Sequence, residues 1–106
     1  MAESSSATSN TRIFIVRKGN GGAQAVPPIQ IISDAVTFRN RTTCLARVVF
    51  PDGVVDQASF EVLAQGEATV RVIGLPGYYE YRATLECREG TYNIEGGSQP
   101  GVIIDR

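Results

Sequence analysis

Two cysteines and a short run of carboxylates are the residues of this chain best able to carry chemistry. Cys44 and Cys87 are the only thiols, Glu86, Glu89 and Glu95 cluster around the second of them, and the chain has no histidine. An even pair of cysteines allows one disulfide. The same pair can equally remain two separate thiols, buried as small hydrophobes. A third arrangement uses both thiolates with Glu86 to hold zinc or copper(I), although the spacing matches no compact metal motif. Paired carboxylates can exchange protons during acid–base catalysis, but glutamates in a polar stretch more commonly form a solvated loop surface. A serine or cysteine nucleophile normally needs a neighbouring base, most often histidine. Catalysis is therefore not expected.

Other segments favour plain structural readings. Gly19-Asn20-Gly21-Gly22 lacks the Lys-Ser/Thr of a phosphate loop and reads as a connection. Arg39, Arg41 and Arg47 alternate along strand-like runs and form a candidate basic patch. Without interleaved aromatics, and with a formal net charge of -1, nucleic acid is not an expected partner. Tyr78 and Tyr92 are the candidate recognition residues, Tyr78 by outward alternation and Tyr92 from its place in a loop. Exposed tyrosines suit protein interfaces.

The elements that must position these residues are β-strands. Glu67-Ala68-Thr69-Val70-Arg71-Val72 alternates charged or polar residues with apolar ones. Val36-Thr37-Phe38-Arg39-Asn40 and Tyr79-Glu80-Tyr81-Arg82-Ala83 follow the same period. Ile13–Val16, Ile29–Ile32, Ala46–Phe50, Phe60–Val62 and Val102–Ile104 are further apolar runs, punctuated by turn signals such as Pro51-Asp52-Gly53. No segment carries a helical stripe. The pattern predicts an all-β sandwich of about seven or eight strands, with residues 1–11 a disordered polar tail and 12–106 one domain. No apolar run approaches the roughly 18 residues of a membrane span. A monomer is expected. The N-terminus shows no signal peptide, so the domain is either cytoplasmic or an exported domain whose leader has been removed.

Pro76-Gly77-Tyr78-Tyr79-Glu80-Tyr81-Arg82-Ala83-Thr84-Leu85-Glu86 resembles the P-G-x-Y-x-[YF]-x-C-x-x-H segment of the cupredoxins, the small blue-copper proteins. Asp34 with Val36–Asn40 resembles the family's D-x-V-x-F-x-N strand, and Leu45–Phe50 its P-H-x-[VI]-x-F strand. The resemblance implies a cupredoxin-like Greek-key β-sandwich. An immunoglobulin-like sandwich is the alternative, opposed by the absence of tryptophan. Within the resemblance, Ala46 and Glu86 stand at the two histidine positions and Ala83 at the cysteine. Gly90, Thr91 and Tyr92 occupy the region of the methionine, and the chain's one methionine is Met1. A type-1 centre needs two imidazoles and a thiolate, so no cofactor is expected.

The resemblance also brings Cys44 and Cys87 to one pole, where a disulfide would stitch the two former ligand loops, and makes Asn40 a brace for that pole. The function it implies is a copper-free, non-catalytic module that binds a protein partner or serves a structural role, with Tyr78, Glu86 and Tyr92 as contact residues. The alternative is a thiol/disulfide redox or metal-handling protein acting through Cys44 and Cys87.

Overall fold

The computed structural model describes residues 10–19, 22–94 and 100–105. The described residues form eleven strands and no helix. In chain order these are β1 (Asn10–Arg17), β2 (Ala23–Val26), β3 (Ile29–Ile32), β4 (Ala35–Asn40), β5 (Leu45–Val49), β6 (Ser59–Val62), β7 (Glu67–Arg71), β8 (Gly77–Glu80), β9 (Arg82–Cys87), β10 (Gly90–Asn93) and β11 (Gly101–Ile104). They build three ladders, in the orders β2-β1-β4-β7, β3-β11-β8 and β10-β9-β5-β6. The β1–β4 and β3–β11 pairs are parallel and the rest antiparallel.

The expected all-β sandwich is what the chain forms. Alternation sends Ile13, Ile15, Val36, Phe38 and Val70 inward from one sheet. Ala46, Val48, Ala83, Leu85, Val102 and Ile104 meet them from the other ladders in a single apolar cluster. At its centre, Phe38 packs edge-on against Phe50, Phe60 and Tyr81, with ring centroids 6.0, 5.6 and 5.4 Å away. Such aromatic pairs add directional packing to simple burial. Thr37, expected to face out, is buried instead, its hydroxyl 2.7 Å from that of Thr69 on the neighbouring strand.

Three strands exceed the sequence expectation. Ala23–Val26 has little β-propensity of its own and pairs because it hairpins back onto β1. The run from Gly77 to Cys87 divides at Tyr81, where its partner changes: β8 pairs with β11, and β9 with β5 and β10. Gly90–Asn93, expected as loop, is the return arm of a hairpin whose two-residue turn is Arg88-Glu89. The expected tail is also shorter at its inner end. Asn10 and Thr11 already pair with Ala35 and Val36 in β1, and the rest of the tail lies outside the described residues. Pro51-Asp52-Gly53 turns as expected, with Gly53 at φ 85°, a conformation in which a side chain would be strained. Among the described residues no helix is long and apolar enough to cross a membrane.

Candidate functional site

The β5–β9 ladder carries three of the ligand-equivalent positions. Its register sets Ala83 opposite Val48, Leu85 opposite Ala46 and Glu86 opposite Leu45. Period-2 alternation then decides where each side chain goes. Ala46 and Ala83 point inward and are buried, at 0% and 4% exposure, within the apolar cluster. Glu86 is on the opposite, outer face, where Arg47 binds it together with Glu61. Two alanine methyl groups offer no donor to a metal, and the only carboxylate of the set faces away from them. The residues present do not fit a type-1 copper centre, and Ala46 and Ala83 are closed over by core packing.

Cys44 and Cys87 are disulfide-bonded, with Cα atoms 4.9 Å apart. They occupy the next register position beyond Glu86 and Leu45, so the bond closes the end of the β5–β9 ladder. The arrangement with two free thiols is therefore not the one found. The three-donor arrangement with Glu86 is not assembled either: its two sulfurs are bonded to each other and its carboxylate lies on the other side of the sheet. Among the described residues no group of three or more cysteine, aspartate or glutamate side chains is placed to hold a metal ion.

Arg17 lies over the disulfide, a feature sequence reading did not find. Its Nη1 is 3.7 Å from Cys44 Sγ and 3.6 Å from Cys87 Sγ, and its Nη2 is 3.3 Å from Glu89 Oε2. Its guanidinium also stacks 5.0 Å from the centroid of Tyr92. Glu89 is held below the usual carboxylate range, chiefly by a hydrogen bond from its own backbone N–H and then by Arg17. The Tyr92 hydroxyl donates to Glu89 Oε2 at 3.3 Å. Tyr92 is thus a half-buried strand residue covered by arginine, not an exposed loop aromatic. It faces inward because it pairs with Leu85 in the register.

Asn40 braces this pole as expected. It is fully buried and its Nδ2 donates to the carbonyls of Cys44 and Val62 at 2.8 and 3.0 Å. Its Oδ1 accepts from the backbone N–H and hydroxyl of Thr42 at 2.9 and 2.7 Å.

Tyr78 lies elsewhere, half-exposed on the outer face of β8. The register aligns it with Ile103 and Ile31 in one apolar row across the three-stranded ladder. The three candidate contact residues therefore do not form one surface: Glu86, Tyr92 and Tyr78 occupy three separate faces. Nor do the three arginines form one patch. Arg39 and Arg41 line an open groove with Arg12, Phe14 and Glu67, whereas Arg47 is on the other sheet. Glu95 lies outside the described residues.

An open cleft of about 630 Å³ lies where β5 ends beside β8, lined by Val49, Phe50, Pro51, Tyr78, Glu80 and Arg82 among others. In the sequence Pro51 reads only as a turn residue, and nothing there marks the cleft.

No protein-family model matches the chain, and no curated protein matches it. Among solved structures, the fold is similar to the copper(I) form of a methionine-to-alanine mutant of amicyanin. The superposition covers 91% of this chain and 82% of that one, with a TM-score of 0.57 and 17% sequence identity. At that identity the likeness concerns the fold, which is cupredoxin-like.

Proposed function

We propose that this chain is a copper-free, non-catalytic cupredoxin-like module that works by contact with another protein. The observation that carries the reading is the inward placement of Ala46 and Ala83 in a packed core, with Glu86 turned to the outer face. A framework of this kind leaves its edges and faces, not a buried centre, to do the work. The disulfide suits an oxidising compartment. Titration with cupric and cuprous ions tests the first half of the reading. The expected result is no tight stoichiometric site and no intense visible absorption. A one-equivalent, high-affinity site with such absorption would overturn it.

A second reading, thiol–disulfide exchange, is favoured by Arg17. An external dithiol would attack the more exposed Cys87 sulfur, breaking the Cys44–Cys87 bond and releasing Cys44 as a thiolate. The second thiol of the reductant would then break the mixed disulfide, leaving two reduced cysteines here and one disulfide on the reductant. A guanidinium in contact with both sulfurs stabilises the thiolates formed. Replacing Arg17 with Gln should therefore shift the equilibrium with a dithiol towards the oxidised form and raise the thiol pKa. Unchanged values in both measurements would remove this reading.

A further inference from the structure

The backbone edge of β8 is open, and its chemistry identifies what would close it. Tyr81 N–H donates to Pro100 C=O at 3.0 Å and Ile94 N–H donates to Ala83 C=O at 2.8 Å. Backbone groups alternate sides along a strand, so the N–H and C=O groups of Tyr78, Glu80 and Arg82 point the other way, towards the side occupied by β5. Arg82 finds its partner there in Val49. Glu80 and Tyr78 have no strand opposite them among the described residues.

The reason is local. Phe50 N–H donates to Ala58 C=O on the far side of β5. Pro51 is the next residue whose nitrogen would face β8, and proline has no N–H to give. The ladder therefore stops, and the cleft of about 630 Å³ lies between Val49–Pro51 at the end of β5 and Tyr78–Arg82. The Tyr78 ring does not shield the edge. It lies over Gly101 on the opposite flank, where an added Cβ would come within 2.7 Å of the ring.

We propose that this slot takes up one extended peptide segment of a partner protein, which adds antiparallel to β8 as a continuation of β5. Strand addition of this kind draws affinity from main-chain hydrogen bonds and specificity from alternate side chains. Here the outer face selects the sequence. Glu80 has no ion pair among the described residues, so a Lys or Arg opposite it would be complementary. An apolar residue two positions later would lie opposite Tyr78. The preferred segment thus reads Lys/Arg-x-apolar. The end of β5 and Pro51 close one end of the slot, so a segment entering it runs on in line with β5. The inference rests on the protein-contact reading above and names its site.

The experiment pans a phage-displayed library of random linear peptides on the full chain and synthesises the enriched sequence. Enrichment of Lys/Arg-x-apolar is expected, with amide shifts at Tyr78 and Glu80 and loss of binding in Glu80→Lys. N-methylation of the peptide at every second position should weaken binding about tenfold per site, while the intervening positions tolerate it, because only alternate amides face β8. Absence of any enriched peptide, uniform sensitivity to N-methylation, or a self-associated chain with β8 amides already protected would overturn the proposal. Peptides that bind elsewhere would also overturn it yet leave the protein-contact reading standing. A tight copper site would remove that reading whatever the panning gives.

Discussion

Removing the Cys44–Cys87 bond should cost this domain a large part of its stability. The bond spans a sequence separation of 43 residues. In the chain-entropy treatment a loop of that length restricts the unfolded ensemble by about 4 kcal/mol. A domain of this size holds a total of roughly 5–15 kcal/mol. With an unfolding entropy of about 2 cal/mol/K per residue, the same loss corresponds to a fall in melting temperature of roughly 15–20 °C. The perturbation is the double substitution Cys44→Ala, Cys87→Ala, compared with the oxidised chain by guanidinium unfolding and by calorimetry. The m-value should rise in the variant, because the unfolded chain is no longer held compact by the cross-link. The dithiol-reduced native sequence should fall close to the variant. A stability difference below about 1 kcal/mol with an unchanged m-value would refute the reasoning, since a loop of this length cannot be closed at so small an entropic effect.

Other outcomes follow from the same structure. Asn40→Ala removes the buried amide shared by the Cys44 and Val62 carbonyls and the Thr42 N–H, with the Thr42 hydroxyl at 3.3 Å still donating to the Cys44 carbonyl, and should destabilise by about 2–4 kcal/mol in denaturant titration. Phe38→Ala empties the centre of the aromatic cluster and should cost about 3–5 kcal/mol, with enhanced binding of a hydrophobic dye near the midpoint. Burial holds the Tyr81 phenol well above its ordinary pKa, so the folded chain keeps a proton that the unfolded chain releases above about pH 10. Stability from this group is complete below that pH and declines as pH rises past it. Tyr81→Phe should show a shallower alkaline loss than the native sequence, measured as midpoint against pH.

Most of the architecture was legible in the sequence because period-2 alternation is strong wherever one face of a strand is buried. Val36–Asn40 and Glu67–Val72 show it plainly. The missed elements had weak local signals. Ala23-Gln24-Ala25-Val26 becomes a strand through pairing with β1, not through propensity. Arg88-Glu89 lacks the glycine or asparagine that usually marks a two-residue hairpin, so Gly90–Asn93 has the signature of a loop and Tyr92 that of an exposed residue. At the pole, residue types identified which ligand positions held no suitable donor, and the family likeness brought Cys44 and Cys87 together. Arg17 could not have been found this way. It is 27 residues from one sulfur and 70 from the other, and only the tertiary fold unites them. The cleft beside β8 was hidden for a related reason. An open edge is defined by a strand that stops, and Pro51 signals a turn in the sequence without showing which strand is denied its hydrogen bond.

Gly101 has an influence out of proportion to its size. It provides the parking space for an aromatic ring, since an added methyl group would overlap Tyr78 Cε1 and the hydroxyl at 2.7 and 2.8 Å. Any larger residue there evicts the ring, and the vacant volume nearby runs alongside the bare main chain of β8. The evicted tyrosine would then act as a plug. One buried glycine therefore keeps the ring on its own flank, away from the neighbouring edge.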